Sequence, residues 1–299
     1  MKSRLQERES RMDRIMNERI DDLQRGGCRI IQCPELFCFG MDAVLLSAWA
    51  AAGRGDRVLD LCSGNGIVPI LMDARLPEEI RREGSVQFTG IEINSICVDL
   101  ARRSAAMNAQ TERIHFLEGD VKDVCRPSAG AGFGSRPHAC SSESCLPERE
   151  GAASASGAGS ADWPDMPAPE SFDCVTVNPP YMKADGGLKG PSTERAIARH
   201  EVLCTVDDVA QAARRALKMA GHLYLVHRPH RLGDIFQALL QNDLAVKRMR
   251  MVHPFAGKEA NLVLIDAVKG GKSYVHVEHP LIVYKEAGVY TEELRALYG

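Results

Sequence analysis

The residues Arg57-Val58-Leu59-Asp60-Leu61-Cys62-Ser63-Gly64-Asn65-Gly66-Ile67-Val68 decide how the rest of this chain is read. The run VLDLC is short, apolar and bounded by a turn signal, which is the pattern of a buried strand. Gly64 and Gly66 then allow a sharp turn, and the apolar residues that follow predict a helix over 66–75. Glycines at a strand-to-helix turn let a ligand approach the backbone closely, and the N–H groups of the helix start favour an anionic group. Taken alone, the same letters also describe an ordinary tight turn, because Gly dominates turns in general.

Outward from this unit the alternation repeats. Candidate strands lie at 85–93, 113–119, 172–178, 222–227, 244–252 and 260–269, with helical stretches near 95–109, 205–219 and 230–242. Apolar strands that alternate with amphipathic helices imply an α/β fold: a mostly parallel sheet of seven strands with helices on both faces. Only His253-Pro254-Phe255-Ala256-Gly257-Lys258-Glu259 separates the last two strands, so they are expected to close the sheet as an antiparallel hairpin. Residues 1–25 read as a charged helix with a thin apolar stripe, stopped by Gly26-Gly27. The expected organisation is an N-terminal extension (1–56) packed on a catalytic domain (57–271), then a C-terminal tail (272–299). An insertion at 126–170 interrupts the catalytic domain. Of its 45 residues, 29 are Gly, Ser, Ala or Pro. That is linker composition, with too little apolar surface to offset the entropy of ordering.

Composition removes several classes of protein. At 44% hydrophobic and 26% charged residues, the 299-residue chain can bury a core. Its longest apolar stretch, Ala43–Ala52, falls short of the ~20 residues a bilayer span needs. The first 25 residues contain no apolar secretory core. The ten cysteines form no CxxC and no paired spacing, so they read as reduced thiols, and a reducing, cytoplasmic setting is expected. His222, His227 and His230 have no metal-ligand spacing, and no metal is expected. The net charge of -3 conceals an asymmetry. Residues 183–272 hold 15 Lys or Arg against 9 Asp or Glu, while residues 1–182 hold 20 against 27. Basic residues concentrated in one segment suit a phosphate backbone, although a solvated basic face has the same composition.

Three strand ends carry polar groups. Asp60 closes the first strand, ahead of Cys62, Gly64, Asn65 and Gly66. Glu92 ends the second, 26 residues beyond Gly66, where an acidic side chain can accept both hydroxyls of a ribose. Asp120 ends the third, where a carboxylate can accept from an adenine amino group. Carboxyl ends of successive parallel strands border the crevice in which such sheets bind ligands. The fourth strand ends in Asn178-Pro179-Pro180-Tyr181, a tetrapeptide that arises by chance in roughly one chain in a thousand of this length. Two prolines fix a rigid turn without N–H donors, leaving the Asn178 side-chain oxygen and the Pro179 carbonyl as acceptors and Tyr181 as a flat face. Such a set can hold a planar –NH₂ by both hydrogens.

With these motifs the chain resembles class I S-adenosylmethionine-dependent methyltransferases that act on amino or amide nitrogens. It departs from their usual glycine loop at Cys62, where Gly is commoner, so the turn is expected to rest on Gly64 and Gly66. Within that superfamily, Glu18–Leu23, Ile30–Gln32, Phe37–Leu46, Ala196–Glu201, Val252–Gly271 and Pro280–Tyr284 resemble the bacterial tRNA1(Val) adenine-N6 methyltransferase family. The resemblance implies a Rossmann-like fold, S-adenosylmethionine as cofactor, and methylation of an adenosine beside the anticodon of a tRNA. It implies cofactor contacts at Asp60, Cys62, Gly64, Asn65, Gly66, Glu92 and Asp120, and closure over the methionine end by Phe39 and Asp42. A core position for Phe39 and a helix-capping role for Asp42 are the other readings of that pair. Asn178, Pro179, Pro180 and Tyr181 would form the catalytic turn. Arg199, His200, Arg228, Arg231 and Lys258 would face the RNA. The same Asn-Pro-Pro-Tyr motif also fits enzymes that methylate release-factor glutamine or ribosomal-RNA guanine, and a non-catalytic RNA-binding relative would share the fold.

Overall fold

Strand β3 (Arg57–Leu61) lies in the interior of the main sheet, as its apolar run requires. Val58, Leu59 and Leu61 are buried, and the strand pairs in parallel with β4 (Gln87–Glu92) on one side and β6 (Phe172–Val177) on the other. This computed structural model describes residues 17–36, 38–125, 167–180 and 204–298. Strands β5 (Ile114–Glu118), β7 (Leu217–His227), β8 (Leu244–Phe255) and β9 (Leu262–Lys269) complete a seven-strand core in the order β5-β4-β3-β6-β7-β9-β8. Its pairings are parallel except at β7–β9 and β8–β9, so the sheet closes with the expected antiparallel hairpin. After β5 the chain returns to β6 on the other side of β3. Between those two strands the sheet reverses its order of growth, and in open α/β sheets this is where ligand crevices form.

Helices α1 (Met41–Trp49), α2 (Ile67–Arg75), α3 (Glu78–Glu83) and α4 (Ser95–Met107) belong to the first half of the chain, and α5 (Val206–Ala216), α6 (Leu232–Gln241) and α7 (Glu292–Tyr298) to the second. Two large apolar cores result. One joins α1, α2 and α4 to Phe88 and Phe116, and the other joins α5 and α6 to Leu59, Val175 and Leu225. Helix α5 is started by a capping box between Thr205 and Asp208. It ends at Ala216 rather than near 219, because β7 begins at once and takes the residues up to His227 into the sheet.

Two regions depart from the sequence reading. Within the predicted N-terminal helix, Arg19–Asp22 is instead a strand, β1, which pairs antiparallel with β2 (Arg29–Gln32). Gly26 and Gly27 both adopt positive φ in the connecting turn. The hairpin docks through polar contacts that no local pattern displays. The Ile31 N–H donates to Ser104 Oγ at 3.0 Å, and the Arg29 N–H donates to Asn108 Oδ1 at 2.9 Å. Residues 1–16 lie outside the described residues. The expected C-terminal tail is also incorporated: β10 (His276–Val277), β11 (Leu281–Glu286) and β12 (Val289–Tyr290) widen the sheet to ten strands. Most of the insertion, 126–166, lies outside the described residues, as do Tyr181, Arg199 and His200. No described helix is long and apolar enough to cross a membrane.

Candidate active site

The turn after β3 is built from alternating left-handed residues: Cys62 at φ 57, Gly64 at φ 55 and Gly66 at φ 82. Cys62 therefore takes part in the turn itself, contrary to the expectation that the glycines alone make it. A side chain in this region costs roughly 1–2 kcal/mol. At Gly66 no side chain fits: a Cβ there would lie 2.5 Å from Phe116 Cζ and 3.0 Å from Ala101 Cβ. At Gly64 a Cβ would meet nothing within 4 Å, so only its backbone conformation calls for glycine. The turn is tied down by the Ser63 N–H, which donates to the Ile91 carbonyl at 3.0 Å.

This turn is one wall of a cleft of about 1040 Å³ at the carboxyl edge of the sheet. Glu92 is nearly buried there. Its two oxygens each accept a backbone N–H at 2.9 Å, from Gly64 and from Asn94, and each retains a lone pair for a ligand. Asp120 faces the same cleft, held by the Lys122 N–H donating to its Oδ1 at 3.0 Å. Asn178, Pro179 and Pro180 line it as well. The structure thus brings together Asp60, Cys62, Gly64, Asn65, Glu92, Asp120 and the three described residues of the Asn-Pro-Pro-Tyr turn.

Several of the expected residues also brace or pack the fold. The Asn65 amide donates to the Ile31 carbonyl at 3.4 Å, so this side chain braces the N-terminal hairpin against the turn. Gly66 starts α2 against Phe116 and does not itself line the cleft. Asp42 does line the cleft, but Gly40, not Asp42, occupies the N-cap of α1. Phe39 packs against the first apolar core, the alternative reading of that residue. Lys258 sits on the exposed turn between β8 and β9 and does not line the cleft.

Beyond β7, Arg228 and Arg231 border the cleft beside the end of β6. Arg228 Nη1 donates to the Asn261 carbonyl at 3.0 Å and Arg231 Nε to Asp234 Oδ2 at 2.7 Å. The basic residues of β8 are engaged within the fold. Arg248 lies over the Trp49 ring at 4.4 Å and pairs with Asp266 and Glu278, while Arg250 pairs with Glu293 of α7. They fasten the C-terminal strands, so the net charge of that segment overstates what can face a phosphate backbone.

The electrostatics separate structural from reactive groups. Burial pushes the Asp60 carboxyl up to about 7, and Glu92 adds to the rise, while hydroxyl donors from Thr176 and Ser63 oppose it. The Cys62 thiol is held protonated by its contact with Cys204, Sγ to Sγ 3.9 Å, and by burial, which removes it as a nucleophile. His227 is pushed down to about 4 by burial and by the neighbouring positive charge of Arg231. The Arg228 N–H donates to its Nδ1 at 2.8 Å, so the ring is neutral at physiological pH with its proton on Nε2.

Cleft residues that sequence reading missed include Ile93, Cys97 and Cys204. Ile93 is 40% exposed although apolar, and it offers a surface for a flat ring beside Glu92. Its place just after a strand-end acid was the available signal. Cys204 had none, because only the fold brings it to Cys62. The donor set fits S-adenosylmethionine: a glycine turn open to backbone approach, a buried strand-end carboxylate, an apolar face and a second carboxylate lie in one cleft large enough for a nucleoside and an acceptor.

No protein-family model matches the chain. Over most of its length it is similar to curated proteins named tRNA1(Val) (adenine(37)-N6)-methyltransferase. The relative from Porphyromonas gingivalis is 26% identical over 75% of this chain and 72% of its own length. The relative from Aeromonas hydrophila is 24% identical over 85% of both chains, and the one from Shewanella amazonensis is 26% identical over 86% of this chain and 88% of its own. Among solved structures, a protein described as a predicted O-methyltransferase from Agrobacterium tumefaciens superposes with a TM-score of 0.59 at 22% identity. That superposition covers 86% of this chain and 95% of the other. The family resemblance read from the sequence and the Rossmann-like α/β fold are both borne out.

Proposed function

We propose that this protein is an S-adenosylmethionine-dependent N-methyltransferase that methylates N6 of an adenosine in tRNA. The observation that carries this reading is a shared cleft: the Asn178-Pro179-Pro180 turn lines the same cavity as Glu92, Asp120 and the glycine turn. The similarity to adenine-N6 methyltransferases over most of the chain supports the choice of acceptor. S-adenosylmethionine, when bound, supplies an electrophilic methyl group. Gly64 and its neighbours would hold the amino-acid portion, Glu92 the ribose hydroxyls, and Asp120 the adenine amino group, with Ile93 against the ring.

The chain's own contribution to the chemistry is positioning. An adenine amino group is a weak nucleophile because its lone pair is delocalised into the ring. The Asn178 side-chain oxygen and the Pro179 carbonyl each accept one N–H, which favours a pyramidal nitrogen with its lone pair directed outward. Neither proline offers an N–H that would compete for those acceptors. His227, neutral and buried, is not needed as a base, since protons can leave after transfer. The target base must leave its stack to enter the cleft, and Tyr181 would then stack on it, worth ~1–3 kcal/mol. Arg228 and Arg231 border the cleft and, with Arg199, His200 and Lys258, would meet phosphates.

The test is methyl transfer from labelled S-adenosylmethionine to unmodified tRNA. Asn178→Ala should abolish transfer while leaving cofactor affinity within twofold of wild type. Undiminished single-turnover transfer by that variant would overturn the role of Asn178.

A further inference from the structure

Asp60 and Thr176 stand directly opposite each other across the parallel β3–β6 pair. Thr176 Oγ1 donates to Asp60 Oδ1 at 2.6 Å, and Ser63 Oγ donates to Asp60 Oδ2 at 2.7 Å. All three side chains are enclosed, with relative exposures of 2% for Asp60, 0% for Thr176 and 4% for Ser63. Ser63 belongs to the glycine turn, and Thr176 precedes Asn178 by two residues on the strand that ends in the Asn-Pro-Pro turn. Each carboxylate oxygen thus grips one of the two halves of the cleft. Hydrogen bonds to an ionised acceptor are roughly twice as strong as neutral ones, and a fully satisfied buried network holds its members in one arrangement.

We propose that Asp60 is a positioning residue: through Ser63 and Thr176 it sets the distance between the turn that receives the cofactor and the turn that receives the acceptor nitrogen. This rests on the methyl-transfer reading above for its catalytic consequence, but not for its effect on cofactor binding. The charged group facing Asp60 is the Glu92 carboxylate on β4, and its ionisable neighbours are the Cys62 thiol beyond the strand end and the Cys174 thiol on β6. Burial places the carboxyl near neutrality, at about 7. Both hydroxyl bonds are charge-assisted above that pH. Below it, the added proton makes one oxygen a donor and weakens the link on that side.

The experiment pairs Thr176→Val, which keeps the shape and loses the hydroxyl, with Thr176→Ser, which keeps the hydroxyl and loses a methyl. Affinity for S-adenosylhomocysteine is measured by calorimetry between about pH 5.5 and 8.5, and kcat and KM are measured with tRNA. Wild-type affinity should fall as pH drops through about 7, and Thr176→Ser should follow it. Thr176→Val should bind within twofold of wild type at the alkaline end, but its break should move to higher pH because a donor to the anion is gone. Its kcat should fall about tenfold with KM for S-adenosylmethionine nearly unchanged. Ser63→Ala provides the matching loss on the other oxygen, and its break should also move upward. Breaks in Thr176→Val and Ser63→Ala that coincide with wild type would overturn the proposal. So would a Thr176→Ser variant as impaired as Thr176→Val, which would mark a packing role. If wild-type protein transfers no methyl group to tRNA, the functional reading fails alone and the calorimetric break still decides this one.

Discussion

Replacing Gly66 by Ala tests whether the glycine turn is held by packing as well as by backbone freedom. The added Cβ would sit 2.5 Å from Cζ and 2.9 Å from Cε1 of Phe116, and 3.0 Å from Ala101 Cβ. The Phe116 ring cannot swing aside, because it is only 3% exposed and also crowds Gly90, where a Cβ would lie 2.5 Å from its Cδ1. At φ 82 a non-glycine residue costs roughly 1–2 kcal/mol in backbone strain, and overpacking adds about 1–3 kcal/mol. Gly66→Ala should therefore lower unfolding free energy by about 2–5 kcal/mol in urea denaturation. Combining it with Phe116→Leu should recover the packing part and leave the backbone part, giving a favourable coupling of about 1–3 kcal/mol in the double-mutant cycle. A Gly66→Ala protein within about 0.5 kcal/mol of wild type, or strict additivity with Phe116→Leu, would show that Phe116 does not hold the turn.

Three further outcomes follow from the site. Asp120→Ala should weaken S-adenosylhomocysteine binding about tenfold by calorimetry, as expected for losing one hydrogen bond to a charged group; unchanged affinity would remove Asp120 from the cofactor site. Because burial raises the Asp60 carboxyl to about 7, the folded state holds that proton more tightly than the unfolded chain. The associated stability is complete below about pH 4 and is lost as pH rises through about 7. The stability of Asp60→Asn relative to wild type should therefore grow by up to about 4 kcal/mol across that window, and a pH-independent difference between their melting curves would contradict the assignment. Arg228→Ala combined with Arg231→Ala should weaken tRNA binding and lower the slope of log affinity against log salt by about 2. An unaltered slope would place phosphates elsewhere.

The central fold was legible because interior strands such as β3, β6 and β9 are buried on both faces, which writes them as continuous apolar runs, with amphipathic helices in the neighbouring segments. What escaped is carried by contacts distant in sequence. Arg19–Asp22 is polar enough to pass for a helix face, and only its docking on α4 through β2 makes it a strand. The two-residue strand β10 is too short to show a period at all. Glu92, Asp120 and the Asn-Pro-Pro turn were readable as polar letters at strand ends, since parallel topology places such ends along one edge. Asp60 was readable as a cleft residue but not as a link. Its partner Thr176 lies 116 residues away and meets it only through strand register. The basic residues of β8 misled for a similar reason, because their acidic partners Glu278 and Glu293 arrive with the C-terminal segment, just after β10 and in α7.

The decisive experiment on the proposed activity is nucleoside analysis of initially unmodified tRNA after incubation with the protein and S-adenosylmethionine. The expected product is N6-methyladenosine, formed at one position and absent when Asn178→Ala replaces the wild-type protein. Methyl groups appearing in guanosine or in a protein glutamine, with adenosine unchanged, would contradict it.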